Sequence, residues 1–335
     1  MKEIAFKIKN ELEAASNILL HCHPYPDPDS VCSALALQEV LVGMGKRITI
    51  IRGDSDIPTN LADLENVESI KNLDWNQVDK MAYDLFIILD SSSLSQVSQK
   101  VEVVIPNGMK TIVIDHHKTN TQFGAINLIE GDYASTTHIL YELFNLWGVS
   151  LSKTVALYLF VGIYTDTGGF RYQVATLDVF QVASALVSLQ PAYHSLLFSI
   201  ENNKSPVELE MLGLALSSIE KYRGGNIVFS SISHLEIKKR KLTRGQAMEG
   251  LVADTLRSVQ GWHVVASLVE AEPGVVTVSL RTRDELKYDM SLIAAHVGVK
   301  GGGHRGAAGT TIHKGLMQAK EELLDKLIRH FPDLA

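Results

Sequence analysis

Short apolar runs alternate with helical patterns through the first half of the chain. The run at 85–89 is entirely apolar, so we expect a strand that is buried on both faces. Because parallel strands need long crossover connections, usually helices, this alternation predicts a doubly wound, mainly parallel sheet in an α/β domain. The predicted strands are 18–22, 47–51, 85–89 and 111–114, and the predicted helices are 30–44, 135–147 and 153–164.

The second half has a different order of strand-like and helix-like segments, which predicts a smaller α+β domain. A chain of 335 residues is long for a single hydrophobic core, so two domains are expected. Pro191, Asn202, Asn203 and Pro206 interrupt the patterns between the two halves. We therefore predict a catalytic domain at 1–192, a linker at 193–206 and a substrate-binding domain at 207–335. The predicted strands of the second domain are 226–233, 264–270, 275–280 and 310–313, and its predicted helices are 243–259, 291–297 and 316–331.

Charge and composition exclude several classes of protein. The net charge is −7, whereas proteins that coat long duplex nucleic acid are usually basic. No apolar run reaches the roughly 18 residues that a membrane span needs. The amphipathic segment 1–16 predicts a first helix and not a signal peptide. The two cysteines, Cys22 and Cys32, form no CxxC pair, so a cytoplasmic location is expected.

A Pro- and Asp-rich loop follows the first predicted strand, with the sequence HPYPDPD. It places His23, Asp27 and Asp29 close together, and two carboxylates so near each other repel unless a cation lies beside them. An Asp that caps the helix beginning near Ser30 is the structural alternative. A helix cap explains one carboxylate, but it explains neither the second carboxylate nor the histidine.

Three further motifs carry similar side chains. Asp90 follows the apolar strand, Asp115, His116 and His117 follow the next strand, and Asp166 lies near the end of an apolar helix. Carboxyl ends of strands are where open α/β sheets bind ligands. Each motif alone is also compatible with a helix cap or a solvated loop. The carboxylate of Asp166 is unfavourable against the helix dipole, which hints at a compensating cation.

Together the four motifs place His and Asp side chains at three strand ends and one helix end of a single sheet. Carboxylates and imidazoles without thiolates suit Mn²⁺ or Mg²⁺ more than structural zinc. These candidates outnumber the ligands that one ion needs. Two ions about 3.5–4 Å apart that share a carboxylate serve the hydrolysis of phosphate esters. The sequence therefore predicts a two-metal phosphoesterase.

The glycine-rich segment GGGHRGAAG has a physical interpretation of its own. Its glycines let backbone N–H groups approach an anion, and Arg281 offers a planar fork for a phosphate. A flexible loop is the alternative for this segment. The basic run 238–241 favours a solvated surface, since the whole chain is acidic.

These residues resemble the DHH phosphoesterase superfamily, in particular its DHH–DHHA1 branch and the oligoribonuclease/pAp-phosphatase group within it. The resemblance covers nearly the whole chain. Two departures occur, because Lys300 stands where a fourth glycine is usual and Cys32 stands where a small glycine is frequent. The motifs that carry the resemblance are HPYPDPD, the Asp after the apolar strand, DHHKTN, GIYTDTGGFRY, VTVSLRTR and GGGHRGAAG.

The resemblance implies two divalent cations, with Mn²⁺ foremost and Mg²⁺ or Co²⁺ as alternatives. It implies that His117 faces the scissile phosphate without binding a metal and that Asp115 orients a histidine. The active site would lie in a cleft between the domains. The implied metal ligands are His23 and Asp27 for one ion, Asp29, His116 and Asp166 for the other, and Asp90 as the bridge. The implied substrate-binding residues are Arg281, Arg283, Gly301, Gly302, Gly303 and His304.

The expected activity is hydrolysis of short RNA or DNA oligonucleotides, dinucleotides such as pApA, or 3′-phosphoadenosine 5′-phosphate (pAp), with release of nucleoside monophosphates. A homodimer is expected by the same resemblance, and no membrane or long duplex partner is. An inorganic pyrophosphatase is one alternative, and the GGGHRGAAG segment argues against it. A nucleotide sensor without turnover is another, and the full set of metal ligands argues against it.

Overall fold

A computed structural model describes the chain except for Tyr25, Asp54, Gln99, Glu249 and Ala335, and except for the side chain of Lys300. The described chain forms two compact units, Met1–Asn203 and Lys204–Ala335. The division falls inside the segment 193–206 that is predicted as a linker, and much of that segment is helical. None of the described helices is long and apolar enough to cross a membrane.

The first unit is built on a parallel sheet of six strands in the order β3-β2-β1-β4-β5-β6. This arrangement confirms the predicted α/β class. Its strands are β1 (Asn17–His21), β2 (Arg47–Ile51), β3 (Ile70–Lys71), β4 (Leu85–Leu89), β5 (Lys110–Asp115) and β6 (Ile126–Ile129). Its helices are α1 (Lys2–Ala14), α2 (Pro28–Gly43), α3 (Thr136–Trp147), α4 (Lys153–Asp166), α5 (Leu177–Leu189) and α6 (His194–Asn202).

Both faces of this sheet are covered, as the apolar run of β4 predicts. All five residues of β4 are buried, with alternate side chains in two hydrophobic clusters. One cluster contains residues from all six helices of the unit. On the other face, Trp75, Val78, Val97 and Val103 pack from segments with short 3₁₀ turns.

Local signals explain where the helices of the site begin. Pro28 is the first residue of α2, where a missing N–H costs nothing, and the Asp27 side chain accepts a hydrogen bond from the Ser30 amide at 2.9 Å. Ser135 caps α3 and Ser152 caps α4 in the same way. Helices α2 and α4 are buried around most of their circumference because they pack against each other as well as against the sheet.

The second unit is an α+β unit with a mixed sheet in the order β11-β12-β10-β9-β8-β7, as predicted in class. Only β8 and β9 pair in parallel among the described strands of this sheet. The strands are β7 (Glu220–Tyr222), β8 (Ile227–Ile232), β9 (Val264–Glu272), β10 (Val275–Thr282), β11 (Val299–Gly303) and β12 (Ala307–Ile312). The helices are α7 (Pro206–Ser217), α8 (His234–Arg240), α9 (Arg244–Met248), α10 (Ala253–Arg257), α11 (Met290–Val297) and α12 (Leu316–His330).

Two predicted elements of this unit differ from the structure. The helix predicted at 243–259 is two short helices, α9 and α10, which are separated near Gly250. A Cβ at Gly250 would lie 2.5 Å from the side chain of Ile232, so the chain must turn closely over β8 there.

The glycine cluster is likewise not the loop of the alternative interpretation, because residues 301–303 belong to the edge strand β11. Close packing explains why residue 301 is a glycine. A Cβ there would collide with the carbonyl oxygen of Ala294, so only glycine lets β11 lie against α11.

Candidate metal centre

The predicted site of the first unit lies at the carboxyl ends of β1, β4 and β5. The strand order reverses between β1 and β4, and such a reversal opens a crevice where ligands bind in open α/β sheets. His23 follows β1, Asp90 follows β4 directly, and Asp115 ends β5. Asp90 has a φ of +52°, a left-handed conformation that non-glycine residues adopt rarely.

Side chains of the six predicted metal ligands come together here. One group joins His23, Asp27 and Asp90, and a second joins Asp29, His116 and Asp166. Within each group, one nitrogen or carboxylate oxygen of every residue lies within 4.8 Å of the others. A third group joins Asp90, His116 and His117 by the same measure.

Asp90 occupies the middle of this arrangement. Its Oδ2 lies 3.5 Å from Nε2 of His23, and its Oδ1 lies 3.5 Å from Nε2 of His116. His116 Nε2 is also 3.3 Å from Oδ2 of Asp166. The two oxygens of one buried carboxylate thus face two different histidines, which is the geometry that a carboxylate shared by two cations requires.

His117 is held by the side chain of Asp115. Nδ1 of His117 lies 2.7 Å from Oδ1 of Asp115, and Asn120 donates a 2.7 Å hydrogen bond to Oδ2 of the same carboxylate. Asp115 is fully buried. Nδ1 of His117 is also 3.7 Å from Oδ1 of Asp90, so His117 lies beside the predicted metal ligands.

Residues in the first turn of α3 donate hydrogen bonds to two of the carboxylates, Asp29 and Asp90. These contacts were not predicted from the sequence. Asp29 accepts hydrogen bonds from the amides of Thr136 and Thr137, at 2.7 and 3.0 Å, and from the Thr137 hydroxyl at 2.7 Å. The Thr136 hydroxyl donates to Oδ1 of Asp90 at 3.1 Å. The run of hydroxyl residues after Ala134 signals a helix start, but it does not reveal which carboxylate the helix end faces.

Gly162 is a further residue of the site that was not predicted from the sequence. A Cβ at this position of α4 would lie 2.5 Å from Oδ1 of Asp29 and would collide with the Thr137 side chain. Glycine is therefore required where α4 passes the hydrogen-bonded pair of Asp29 and Thr137. This packing explains why an interior helix position carries the residue that weakens a helix.

The electrostatics of the crowded carboxylates favour a bound cation. Burial raises the pKa of Asp29 to about 8, and the negative charges of Asp90 and Asp27 add to the effect. Burial and the charge of Asp29 also raise the pKa of Asp166 well above its ordinary range. Oxygen and imidazole donors in this crowding fit a pair of hard divalent cations.

Burial opposes the charged form of Asp90 as well, but the hydrogen bond to His23 and the charge of His117 outweigh it and lower the pKa of Asp90. Burial likewise opposes the charged form of His117, yet the hydrogen bond to Asp115 raises the pKa of that imidazole to about 9. Burial raises the pKa of the nearby Cys22 thiol to about 11, and none of the three groups of candidate ligands contains a cysteine.

The predicted substrate-binding residues lie in the second unit, near one end of its sheet. Arg281 of β10 is in register with Ala307 of β12, next to the turn in which the His304 amide donates to Ala307 at 2.8 Å. Gly302 and Gly303 pair with Gly309 and Ala308 in β12. The structure thus brings Arg281 near the turn that contains His304.

Both predicted arginines already have partners inside this unit. Arg281 donates to the two carboxylate oxygens of Asp254, at 3.0 Å from Nε and 2.9 Å from Nη2. Its Nη1 donates to Ser279 and to the carbonyl of Leu280. Nη1 of Arg283 donates to the carbonyl of Arg257 at 2.8 Å. A phosphate at Arg281 would therefore share the guanidinium with Asp254, a residue that the sequence analysis did not single out.

Two family models match the sequence in the order that the motifs predict. The model described as the DHH family, N-terminal domain, matches residues 17–163, and that of the DHHA1 domain matches residues 224–332. The chain belongs to the DHH family of phosphoesterases. The DHH match includes the segments of β1, β4 and β5 from which the candidate metal centre is built.

Relatives along nearly the whole chain agree with this family. A protein of Thermus thermophilus named bifunctional oligoribonuclease and PAP phosphatase NrnA is 31% identical over 92% of this chain and 88% of its own length. A Bacillus subtilis protein of the same name is 24% identical over 88% of this chain and 89% of its own length. The crystal structure of an exopolyphosphatase-related protein from Bacteroides fragilis has the same fold, with a TM-score of 0.88, 24% identity and coverage of 100% of this chain and 98% of that one.

Proposed function

We propose that this DHH phosphoesterase uses two divalent cations to hydrolyse short oligonucleotides, dinucleotides such as pApA, or pAp, with release of nucleoside monophosphates. The observation that carries the proposal is the position of Asp90, whose two carboxylate oxygens face His23 and His116 at 3.5 Å each. The names of the relatives from Thermus thermophilus and Bacillus subtilis support the substrate class.

The proposed metal ligands fall into two sets around Asp90. His23 and Asp27 would hold one cation, while Asp29, His116 and Asp166 would hold the other. We propose Mn²⁺ as the natural ion, with Mg²⁺ and Co²⁺ as the alternatives to test, because the donors are oxygens and imidazole nitrogens. When bound, such a pair polarises a phosphoryl group and lowers the pKa of a bound water.

His117 has a proposed role that the protein itself supplies. Its hydrogen bond to Asp115 and the bond from Asn120 to Asp115 fix the ring beside the ligand set. We propose that His117 faces the scissile phosphate, stabilises charge in the transition state and assists the leaving oxygen. Asp115 would act through His117 as a positioning residue.

The second unit would bind the nucleotide end of the substrate. Arg281 and the turn containing His304 lie at the same end of its sheet, and Arg283 follows β10. The backbone of residues 301–303 would contribute N–H groups. Arg281 would contact a phosphate through the remaining N–H of Nη2 or by releasing Asp254, since Asp254, Ser279 and Leu280 accept from its other N–H groups.

Turnover of a substrate panel tests this function. The purified chain with Mn²⁺ is incubated with pAp, pApA, a short RNA and pyrophosphate, and the products are separated by chromatography. We expect hydrolysis of at least one of the nucleotide substrates and none of pyrophosphate. Binding of these nucleotides without turnover would favour a sensor, and cleavage of pyrophosphate alone would favour a pyrophosphatase.

Variants connect the activity to the candidate centre. Asp90→Ala and Asp166→Ala are each expected to lower turnover by about 100-fold or more, because each removes a proposed metal ligand. Asp79→Asn, which changes an exposed carboxylate of the same unit, is the matched control and should retain activity. Near-normal turnover in either alanine variant would contradict the two-metal assignment.

A further inference from the structure

A groove in the first unit lies apart from the candidate metal centre. It has a volume of about 590 Å³ and is open to solvent beside β2 and β3, at the edge of the parallel sheet. Arg52, Lys71 and Glu68 are its charged lining residues. None of the predicted metal or substrate residues lines it.

Arg52 is the unusual feature of this groove. The residue is only 9% exposed, and its Nε and Nη1 are buried without a hydrogen-bond partner in the part of the chain that the structure describes. Its place is fixed, since it follows β2 directly and its amide donates to the carbonyl of Lys71 at 3.2 Å. Two buried guanidinium nitrogens without a partner are costly, and natural proteins pair such groups with an anion.

The lining indicates what kind of anion would pair with Arg52. Arginine presents a planar fork that suits the oxygens of a phosphate or carboxylate. Lys71 adds a second positive charge and Glu68 one negative charge, so the lining has a net charge of +1 in a chain whose net charge is −7. A ligand with a compact anionic end therefore matches the polar side of the groove.

The remaining wall is apolar. Ile57, Val67 and Ile70 line the groove and pack against, or belong to, the hydrophobic cluster on the helix-covered face of the sheet. The volume lies in the range of pockets that bind small organic ligands, roughly 300–1,000 Å³. A ligand that fills it would thus combine a compact anionic group with an uncharged, largely apolar part.

From these observations we propose that the groove is a second ligand site, which binds a nucleoside monophosphate with its phosphate on Arg52 and its base against Ile57 and Ile70. The site needs no divalent cation, and it is independent of the hydrolysis proposed above. Its ligand belongs to the chemical class that the proposed reaction would release, so occupancy would follow the product concentration.

Methyl NMR of the full-length chain, labelled at the isoleucine δ1 methyl groups, tests this site. EDTA is present throughout, so that binding through divalent cations does not contribute. AMP, adenosine and inorganic phosphate are titrated separately. We expect saturable shifts of the Ile57 and Ile70 methyl signals with AMP, and weaker affinity by about tenfold or more for adenosine and for phosphate alone.

Variants identify the residue that is responsible. Arg52→Gln should weaken AMP binding at these methyl groups by about tenfold or more, and Lys71→Gln by a smaller factor. Arg47→Gln removes an exposed arginine of the same strand and should leave the affinity unchanged. Arg52→Lys, which keeps the charge without the fork, provides a second measurement if Arg52→Gln does not fold.

Three outcomes would overturn the proposal. The first is no shift of the Ile57 and Ile70 signals at millimolar AMP. The second is equal affinity for adenosine and AMP, which would remove the role of the phosphate. The third is unchanged AMP affinity in every Arg52 variant that folds. None of these outcomes changes the result of the turnover assay. Failure of the second-site proposal can therefore be distinguished from failure of the proposed function.

Discussion

The buried carboxylate of Asp29 accepts a 2.7 Å hydrogen bond from the hydroxyl group of Thr137, 108 positions further along the chain. Two backbone amides from the first turn of α3 donate to the same carboxylate. A helix N-terminus carries partial positive charge, so it favours the charged form of Asp29 and offsets part of the effect of burial on this carboxyl group. The relationship connects helix α3, which carries no predicted ligand, to the geometry of the candidate metal centre.

Thr137→Val is expected to weaken Mn²⁺ binding by about tenfold, because the shape of the side chain is kept while one hydrogen bond to Asp29 is lost. Oδ1 of Asp29 keeps the hydrogen bond from the Thr137 amide, so loss of the hydroxyl bond alone should lower the free energy of unfolding by about 1 kcal/mol. Isothermal titration with Mn²⁺ and thermal unfolding in EDTA measure the two effects. Thr137→Ser keeps the hydroxyl and should restore most of the affinity. Equal affinity of the Val and Ser variants would contradict the positioning role.

Gly162→Ala is expected to destabilise the protein and to weaken metal binding. The added methyl group would lie 2.5 Å from Oδ1 of Asp29, so the carboxylate or α4 must move. A loss of about 1–3 kcal/mol in the free energy of unfolding is the usual size for an overpacked core. Gly213→Ala is the control, since nothing lies within 4 Å of the added atom and the helix should gain about 0.5–1 kcal/mol. An unchanged melting temperature for Gly162→Ala would be inconsistent with the tight crossing.

The metal-free protein is expected to lose stability as the pH rises from about 6.5 to about 8. Burial raises the pKa of Asp29 to about 8 and that of Asp166 well above its ordinary range. The folded chain therefore binds more protons than the unfolded chain in this window, and stability must fall as those protons leave. The raised pKa values of His23 and His117 act with the same sign.

Melting temperatures in EDTA at the two ends of this pH window test the sign. The window begins near pH 6.5 because a histidine with a lowered pKa, such as His21, has the opposite effect. It makes stability rise with pH, but only below its ordinary pKa of 6.5. Mn²⁺ should raise the melting temperature more at the higher pH, since metal and protons compete for the same carboxylates. Asp29→Asn should flatten the slope. A melting temperature in EDTA that rises with pH would contradict the raised pKa values of Asp29 and Asp166.

Arg281→Gln is expected to raise KM for pAp or pApA by about tenfold while changing kcat less, since the arginine is proposed to bind a phosphate remote from the reacting bond. Arg244→Gln, an exposed arginine of the same unit paired with Glu272, serves as the control. Steady-state kinetics with Mn²⁺ give both constants. If KM were unchanged and kcat fell, the role of Arg281 would have to lie elsewhere.

Elements with strong periodic patterns were predictable from the sequence, and those that depend on distant packing were not. The strand Leu85–Leu89 is predicted to the residue because its apolar run has sharp polar borders. The break between α9 and α10 was missed, since the helical pattern continues through this segment and the close approach of Gly250 to Ile232 involves a distant strand. The edge strand at 299–303 was missed because glycines carry no pattern of buried and exposed side chains.

The candidate site divides in the same way. Asp90 and His116 were predicted as ligands because four motifs with such side chains fall at strand and helix ends of one sheet, although each motif alone is also compatible with a helix cap or a solvated loop. Thr137 and Gly162 were not predicted, since a hydroxyl at a helix start and a glycine in a helix have common local explanations. Only the packing of α4 against α2 and α3 gives them their contact with Asp29.

Electron paramagnetic resonance of the Mn²⁺-loaded chain tests whether Asp90 bridges a pair of cations. Mn²⁺ is titrated into the metal-free protein, and the bound ions are counted in parallel by elemental analysis. We predict two Mn²⁺ per chain with the spectrum of a spin-coupled pair, and loss of the coupled spectrum in Asp90→Asn but not in Asp79→Asn. A single bound ion, or two ions whose spectra remain uncoupled in the unmodified chain, would contradict a cation pair bridged by Asp90.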